Sequence, residues 1–453
     1  MTTSGLLGLK SSCAESCGWT AGCSTCYSRS LRKRSIESTN GDRVRIVHAA
    51  DIHLDSPLLG LARLEDDDVA RVLRQASRRA LENLVQLVVD ESAVALVLAG
   101  DIYDGDWPDY ATGRFFAQQM GRLNDHGIPV FMAAGNHDAE SQISRALRMP
   151  PNVTVLSTDS PQTVEMPDLG LAIHGQGFAT RAVKANLALA YPTRMHGIVN
   201  VGILHTSVTG AEGHEPYAPC SPEDLARTEY DYFALGHVHA RYVVNAGHRV
   251  AAFSGNLQGR KPSESGPKGA LVVDVEADQQ AVLRHVPLDV ARWARVMVDA
   301  TAATDFDDVL NRVEEELRNA KSEADGRLLI ARVEIAGTTP AAATLADSER
   351  LQEEVGLIGD RHGITLERTR SRALAPTEWQ SLEPELLEAI RCAAEALVTD
   401  PVQLRELARA LDREVGRELR DQGLVDLKDD DALVSLATDA SIALLARLNG
   451  EGD

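Results

Sequence analysis

The stretch Arg45–His53, RIVHAADIH, carries an apolar, β-rich run directly into an aspartate and a histidine. Two later runs lead into polar clusters in the same way: Ala95–Leu98 precedes Gly100-Asp101, and Pro129–Ala133 precedes GNHD at positions 135–138. Short strands separated by helical stretches predict strand-helix-strand units and a mainly parallel sheet. Because ligand-holding loops of such sheets lie at the carboxyl ends of the strands, we expect the three clusters to meet at one edge.

Helical patterns occupy the connections between these strands, over Asp68–Val89 and Asp109–His126. After Asn152 the helical patterns thin out, and β-rich runs follow at 153–156, 171–174, 199–204, 232–235, 250–253 and 270–275. An αβ half followed by a β-rich half predicts two sheets packed face to face with helices outside. We therefore predict an α/β protein whose main domain, over residues 44–288, is a four-layer α/β/β/α sandwich.

The strand and helix pattern restarts after Asp289. A strand over Ala294–Val298, a helix over Asp305–Ala320 and a strand over Leu328–Ile335 predict a compact β-α-β unit. The sequence thus predicts a small α/β capping domain at residues 289–375.

Residues 376–453 are almost entirely helix-forming, and Asp400-Pro401 supplies a helix start. This predicts a helical C-terminal tail. One apolar face of the tail is marked by Leu404, Leu407, Leu411, Val415 and Leu419. Such a face packs within the tail or binds a partner helix, and the sequence leaves both alternatives open.

Composition narrows the function classes. The formal net charge of −21 argues against broad, non-specific adhesion to nucleic acid, because that affinity comes from a basic surface. Two bound divalent cations would reverse the local field inside a site, so DNA is not excluded as a substrate. No run is long and apolar enough to span a bilayer, and residues 1–10 do not resemble a signal peptide. We expect a cytoplasmic protein without a membrane partner.

The first 43 residues form a separate compositional segment. They are rich in Ser, Gly and Cys, and they contain four of the six cysteines, namely Cys13, Cys17, Cys23 and Cys26. We expect a disordered extension. A zinc site is the alternative, although structural zinc sites normally join two close cysteine pairs across a longer loop.

The polar clusters supply the ligands of a two-metal site. Carboxylate, imidazole and amide groups of this kind hold two divalent cations about 3.5–4 Å apart in enzymes that cleave phosphate esters. Asp101 is our candidate for the bridging carboxylate, because a neutral imidazole holds only one metal. The seven predicted ligands are Asp51, His53, Asp101, Asn136, His205, His237 and His239.

His137 is the best candidate for a proton donor to the leaving oxygen, and the adjacent Asp138 is the candidate that orients it. A histidine suits this task because its unperturbed pKa of about 6.5 allows it to hold and release a proton near neutrality. Asp55 and Asp104 either support the ligands from behind or have no role in the site.

In this order, the clusters resemble the calcineurin-like metallophosphoesterase superfamily over residues 44–275. Within it, the chain is similar to the DNA repair exonuclease branch, which includes YhaO and the nuclease subunit of SbcCD. The narrower resemblance rests on VHAADIHLDSPL at 47–58, LHT at 204–206, SGNLQGR at 254–260 and GPKG at 266–269.

The resemblance implies a pair of Mn²⁺ ions and hydrolysis of DNA phosphodiesters by an exonuclease or endonuclease, with His137 as the proton donor. It also implies that residues after Asp289 act as a DNA-selecting cap and that an SMC-like coiled-coil ATPase is a partner. A homodimer stays open. Basic residues that could contact DNA are Arg260, Lys261, Lys268, Arg368, Arg370 and Arg372, although a solvated face balanced by neighbouring acids explains them equally well.

Two other functions stay open at this point. The same ligands serve enzymes that act on a small phosphodiester or phosphomonoester, because a fold does not fix a substrate. A non-catalytic adaptor that holds a partner through its helical tail is the third hypothesis, and the intact set of ligands argues against it.

Overall fold

The computed structural model describes residues 43–56, 67–104, 110–140, 148–208, 217–246, 249–376, 384–398, 403–409, 433–434, 436–438 and 440–441. The predictions made for residues 1–42, including the four N-terminal cysteines, lie outside these residues. Most of the predicted apolar face of the C-terminal tail lies outside them as well.

The first large sheet has six strands within the described part of the chain. In spatial order they are β12 (Val282–Pro287), β11 (Gly269–Val275), β1 (Val44–Ala49), β2 (Ala95–Leu98), β3 (Val130–Met132) and β4 (Val153–Val155). Strands β1 to β4 pair in parallel, whereas β11 runs antiparallel to both β1 and β12. The carboxyl ends of β1, β2 and β3 therefore lie at the same edge.

The second large sheet also has six strands among the described residues. Their spatial order is β5 (Gln162–Met166), β6 (Leu171–Gln176), β7 (Val199–His205), β8 (Tyr232–Gly236), β10 (Arg249–Phe253) and β9 (Tyr242–Ala246). Strands β6, β7, β8 and β10 are parallel. Apolar side chains from both sheets form one buried cluster, which includes Ile46, Val97, Ile173, Val201 and Ala252. The two sheets thus pack face to face.

Two helices cover the outer face of the first sheet, α2 (Ala76–Asp90) and α3 (Ala111–Asp125), and α1 (Asp67–Arg74) precedes them in the chain. Leu81, Leu84 and Phe116 of these helices pack on strand residues such as Val47 and Leu96. The second sheet has a thinner outer layer, made by short elements that include α5 (Pro222–Ala226), while α4 (Asn136–Glu140) begins at the polar edge. The predicted α/β fold with two large sheets is confirmed.

A third, parallel sheet follows the two large ones and contains β13 (Ala291–Asp299), β14 (Leu328–Ala336) and β15 (Ile364–Ser371) in that order. Its helices are α6 (Phe306–Glu323), α7 (Ala342–Leu345) and α8 (Ser348–Arg361). Val309, Val313 and Val355 of the helices pack on one face of the sheet, against Val333 and other strand residues. We call these elements the three-stranded unit.

The three-stranded unit contacts the sandwich through Trp293. This side chain is buried with Leu73 of α1, and its Nε1 donates a hydrogen bond to the carbonyl oxygen of Gly259 at 3.1 Å. Gln258, next to Gly259, donates to the carbonyl oxygen of Ala291 at 2.6 Å. The loop after β10 is therefore bonded directly to β13.

Towards the C-terminus, α9 spans Pro384–Val398, and residues 403–409 are also helical. The remainder of the predicted helical tail lies almost entirely outside the described residues. Within the described ranges, no helix combines the length and apolar character that a membrane span requires.

Candidate metal centre

The predicted ligands follow strands of both large sheets, at edges that meet. Asp51 and Asp101 follow β1 and β2, Asn136 is the first residue of α4 after β3, and His205 is the last residue of β7. Backbone hydrogen bonds join the loops, since the N–H of Asp51 donates to the Gly100 carbonyl oxygen at 3.0 Å. Asp51 and His239, which are 188 positions apart in the sequence, therefore share one site.

Backbone strain is concentrated at this site. Asp51, His53, Asp101 and His237 have φ angles of +50°, +43°, +52° and +105°. Positive φ is uncommon outside glycine and costs of order 1–3 kcal/mol where the surroundings impose it. Four of the seven predicted ligands thus occupy backbone conformations that the rest of the fold must stabilise.

Two glycines permit the close approach of these loops. A Cβ atom on Gly236 would lie 1.9 Å from the Ala99 carbonyl oxygen and 2.9 Å from Nδ1 of His205. A Cβ atom on Gly135 would lie 2.2 Å from Oδ1 of Asp101. Larger residues at either position would push a predicted ligand out of place.

One half of the site is formed by Asp51, His53 and His239, whose ligand atoms lie within 4.8 Å of one another. The Nε2 atoms of His53 and His239 are 3.2 Å apart, so both face the same point. The carboxylate of Asp51 also accepts hydrogen bonds of 3.0 and 3.1 Å from the backbone N–H of His237.

In the other half, the ligand atoms of Asp51, Asp101 and His205 also lie within 4.8 Å of one another. Nε2 of His205 lies 2.9 Å from Oδ1 of Asn136 and 3.4 Å from Oδ2 of Asp101. Nδ1 of His205 donates to the Ala99 carbonyl oxygen at 2.9 Å, which fixes Nε2 as the inward atom. The His237 ring lies 5.3 Å from the His205 ring, between centroids.

Oδ2 of Asp101 lies between the two halves, 3.9 Å from Nε2 of His53 and 3.4 Å from Nε2 of His205. The bridging role of Asp101 stays a prediction. Of the two carboxylates, Asp51 belongs to both groups of ligand atoms, whereas Asp101 belongs to the second group only.

Burial shifts the pKa values of these groups towards their neutral forms. It raises the pKa of Asp51 well above its usual range, with a further contribution from Asp101, and it raises the pKa of Asp101 to about 6. Burial also lowers the pKa of His205 to about 4 and that of His53 well below its usual value.

This donor set fits divalent cations. Buried carboxylates that repel each other are stabilised by positive charge, and imidazoles that are neutral at pH 7 have a nitrogen lone pair available. Mixed carboxylate, amide and imidazole ligands are typical of divalent first-row metals. The residues present therefore fit the two divalent metal ions that the sequence predicts.

His137 is held by Asp104, whose Oδ1 lies 3.1 Å from Nδ1 of His137 and 3.4 Å from Nδ1 of His53. Ser56 donates a 2.6 Å hydrogen bond to the other oxygen of this carboxylate, and Arg260 lies 3.4 Å from it. The hydrogen bond to Asp104 raises the pKa of His137, while the contacts of Asp104 with His137 and His53 lower the pKa of Asp104. This pairing favours the protonated form of His137.

Asp138 has a different set of contacts from the predicted one. Its carboxylate accepts hydrogen bonds of 3.0 Å from the backbone N–H groups of Tyr103 and Gly135. It therefore joins the loops that carry Asp101 and Asn136, and the orienting contact to His137 is made by Asp104.

Glu264 is a buried residue of the site that the sequence patterns did not indicate. Its carboxylate accepts from Nδ1 of His239 at 2.8 Å and from the Asn256 side chain at 2.8 Å. Burial opposes its charge, yet the hydrogen bond from His239 and nearby positive charge lower its pKa to about 2. A carboxylate behind a ligating histidine fixes the tautomer and the ring orientation.

Two predicted DNA contacts instead face the protein interior. Nζ of Lys268, a residue only 7% exposed, donates to the His239 carbonyl oxygen at 3.0 Å. The Arg260 side chain is 17% exposed and contacts Asp104 and Ser56 at the site. Lys268 is thus structural, and Arg260 belongs to the metal centre.

Fold and site together define a phosphoesterase of the metal-dependent class. The model of the calcineurin-like phosphoesterase family matches residues 44–241, and that of the middle domain of metallophosphoesterase YhaO matches residues 293–373. The uncharacterized metallophosphoesterase YhaO of Bacillus subtilis is 31% identical over 297 residues, covering 65% of this chain and 72% of that protein. The chain belongs to the calcineurin-like metallophosphoesterases of the YhaO and SbcD type.

Relatives named as nucleases are more distant. The SbcD component of the nuclease SbcCD of Bacillus subtilis is 27% identical over 288 residues, covering 54% of this chain and 70% of that protein. The protein of the same name in Staphylococcus saprophyticus is 24% identical over 284 residues, covering 56% of this chain and 71% of its own.

Proposed function

We propose that this protein is a metal-dependent nuclease that hydrolyses DNA phosphodiester bonds. The observation that carries the proposal is the pair His137 and Asp104, held directly beside the predicted ligands His53 and Asn136. Similarity to proteins named as components of a nuclease supports DNA as the polymer. A three-stranded unit bonded to the loop of the metal centre supports a substrate larger than a simple ester.

We propose Mn²⁺ as the bound ion. Two such cations would be held by the seven predicted ligands, Asp51, His53, His239, Asp101, Asn136, His205 and His237. When bound, such a pair lowers the pKa of water, orients the phosphate and stabilises the charge that develops on it. The chain's own contribution is to keep the imidazoles of His53, His205 and His239 neutral and two carboxylates close together in a buried site.

His137 supplies the proton for the leaving oxygen. Because its Nδ1 is bonded to Asp104, the proton on Nε2 is the one free to move to the substrate. The same Asp104 carboxylate faces Nδ1 of His53, which keeps Nε2 of His53 directed at Asp101 and His239. One carboxylate thus positions both a predicted ligand and the proton donor.

Arg260 adds a fixed positive charge next to this pair. It is hydrogen-bonded to Ser56 at 3.0 Å and lies 3.8 Å from Glu264. A guanidinium held in this way stabilises negative charge on a phosphate without moving during the reaction. We propose that it contacts the scissile phosphate.

A role in DNA repair and a coiled-coil ATPase partner are further parts of the proposal. They rest on the similarity to proteins named as components of SbcCD. Co-purification with such an ATPase from the source cells, and loss of this complex on deletion of residues 376–453, would support the partner.

The deciding test is a cleavage assay on end-labelled single-stranded and double-stranded DNA with Mn²⁺, Mg²⁺ or EDTA. We expect wild type to cleave DNA with Mn²⁺, and His137→Ala to lose at least 100-fold in rate while it retains metal, since general acid catalysis contributes about 10²–10⁴-fold. His126→Ala, at an exposed helix end, is the matched control and keeps the wild-type rate. Hydrolysis of bis(p-nitrophenyl) phosphate without cleavage of any DNA would refute the proposal in favour of a small substrate.

A further inference from the structure

A third group of metal-ligating side chains lies next to the predicted two-metal centre. His53, Asp104 and His137 each offer one ligand atom, and these atoms all lie within 4.8 Å of one another. His53 faces the two-metal centre through Nε2, which is 3.2 Å from Nε2 of His239. Its other ring nitrogen, Nδ1, faces Asp104. We use "the outer site" for Nδ1 of His53, Oδ1 of Asp104 and Nδ1 of His137.

The distances in the outer site are close to those of a tetrahedral zinc site. Zn²⁺ binds imidazole nitrogen and carboxylate oxygen at about 2.0–2.1 Å, so two ligand atoms of a tetrahedral site lie about 3.3–3.4 Å apart. Oδ1 of Asp104 lies 3.4 Å from Nδ1 of His53 and 3.1 Å from Nδ1 of His137. The carboxylate is therefore already spaced from both imidazoles as a shared zinc ion requires.

One atom of the outer site is a buried polar atom without a hydrogen bond. The His53 side chain is fully buried, and its Nδ1 has no hydrogen-bond partner among the described residues. Native structures rarely leave a buried nitrogen in this state, because the atom has lost its bonds to water. A cation bound between His53 and Asp104 would give this nitrogen a partner.

The Asp104 carboxylate is held in the orientation that the outer site needs. Its Oδ2 accepts a 2.6 Å hydrogen bond from Ser56 and lies 3.4 Å from Arg260, which leaves Oδ1 for the two imidazoles. Supporting bonds of this kind fix the direction of a metal-binding carboxylate. The Asp104 and His137 side chains are 28% and 29% exposed, so solvent has access to the site and water is available as a fourth ligand.

We propose that the outer site binds a third divalent cation, Zn²⁺, and that this ion inhibits the enzyme. The inhibition rests on the proposed function, in which His137 donates a proton, whereas the binding of zinc does not depend on it. Two imidazole nitrogens and one carboxylate oxygen favour zinc, while Mn²⁺ prefers oxygen ligands. The outer site thus responds to a different metal from the one proposed for catalysis.

Zinc binding exchanges two protons for two metal bonds. Zinc bonds to Nδ1 of His53 and to Nδ1 of His137, the N–H bonds at both atoms break, and the protons leave to solvent. His53 then bridges two metals through its two nitrogens. His137 keeps only the proton on Nε2, and donating it would leave an imidazolate anion, whereas the zinc-free imidazolium leaves a neutral ring. Zinc therefore blocks proton transfer from His137 to the leaving oxygen.

Nearby positive charge makes the outer site weaker than the two predicted sites. Arg260 lies 3.4 Å from the same carboxylate, and the two-metal centre lies on the Nε2 side of the His53 ring. Because like charges repel, zinc fills the outer site last, at a higher free concentration than the centre needs. This order leaves the enzyme active in Mn²⁺ and inhibits it when zinc is in excess.

The first test counts the zinc bound to the full chain, by equilibrium dialysis against saturating zinc and elemental analysis. His137→Ala and Asp104→Asn should each bind one zinc less per chain than wild type, and each should bind as much Mn²⁺ as wild type. His126→Ala, at an exposed helix end, is the matched control and keeps the wild-type count. Zinc held by the cysteines of the chain is the same in all four proteins and cancels in the comparison.

The second test compares rates of DNA cleavage. In Mn²⁺ alone, wild type should be about 100-fold or more faster than His137→Ala. Excess zinc should bring this ratio to about 1, because zinc removes from wild type the proton transfer that the variant already lacks. Exchange of zinc into the two-metal centre affects both proteins and leaves the ratio unchanged.

Three results would overturn the inference: an equal zinc count in wild type and both variants, a parallel loss of Mn²⁺ in the variants, or a ratio of rates that zinc does not change. Equal thermal unfolding in EDTA shows that the variants are folded. Failure of wild type to cleave DNA in Mn²⁺, with the zinc count as expected, would instead refute the proposed nuclease function and leave the zinc site in place.

Discussion

Replacing Glu264 by glutamine tests how the chain prepares His239 to bind a metal. The glutamate accepts three hydrogen bonds, from Nδ1 of His239 at 2.8 Å, the Asn256 side chain at 2.8 Å and the Arg260 backbone N–H at 2.7 Å. Glutamine has one oxygen, so its amide group must face one of these donors. If the glutamine oxygen keeps the hydrogen bonds from Asn256 and from the Arg260 backbone, the amide N–H faces Nδ1 of His239.

That arrangement forces the other tautomer of His239. Nδ1 must then accept a hydrogen bond, and the proton moves to Nε2, the atom that faces Nε2 of His53 across 3.2 Å. A protonated Nε2 cannot bind a metal. Loss of such a supporting carboxylate typically costs 10- to 100-fold in metal affinity, which corresponds to about 1.4–2.7 kcal/mol.

The measurement is the stabilisation of the protein by Mn²⁺, from urea unfolding with and without a large excess of the ion. A ligand that binds only the folded state stabilises it in proportion to the logarithm of its affinity, so Glu264→Gln should lose about 1.4–2.7 kcal/mol of the metal-dependent part. Glu276→Gln, at an exposed position, is the control. Equal stabilisation of wild type and Glu264→Gln by Mn²⁺ would refute the tautomer argument.

Three further predictions concern other parts of the molecule. Asp104→Asn should lower kcat on DNA by about 100-fold or more at saturating Mn²⁺, because His137 loses the carboxylate partner that favours its protonated form. A rate within threefold of wild type in single-turnover assays would contradict this role of Asp104. Gly236→Ala should lower the free energy of unfolding in EDTA by about 1–3 kcal/mol, because the new Cβ atom clashes with the Ala99 carbonyl oxygen. Gly356→Ala is the control, since its Cβ atom meets open space and should not destabilise the protein. Equal urea midpoints for wild type and Gly236→Ala would argue against the clash. Burial lowers the pKa of His48 to about 3, so below pH 6.5 the unfolded chain binds a proton that the folded chain does not, and stability decreases as the pH is lowered. Between pH 6.5 and 4.5 the free energy of unfolding of wild type should fall by about 2 kcal/mol more than that of His48→Gln. Parallel pH profiles of the two proteins would contradict this prediction.

The strand pattern of the sequence contained most of the information about the site. Each predicted ligand follows or ends a strand, and the carboxyl ends of parallel strands meet by geometry, so residues such as Asp51 and His205 could be brought together without coordinates. The two-sheet architecture followed from the change from helix-rich to strand-rich sequence near Asn152. These features depend on local patterns that a single sequence displays.

The supporting residues could not be predicted in the same way. The adjacency of Asp138 and His137 in the sequence predicts an orienting contact between them, but α4 begins at Asn136, and successive residues of a helix point about 100° apart. Asp104 and Glu264 act on histidines 33 and 25 positions away. Their contacts depend on how irregular loops fold, which hydrophobic periodicity does not encode.

The loop from Asn256 to Lys268 links two parts of the molecule that the sequence pattern separated into different domains. Its Glu264 holds His239, its Arg260 contacts Asp104, and its Gly259 accepts the hydrogen bond from Trp293 of the three-stranded unit. A shift of β13 against the sandwich must therefore break the Trp293 bond or displace the loop that orients a predicted ligand. This short loop therefore couples the position of the three-stranded unit to the position of a predicted metal ligand.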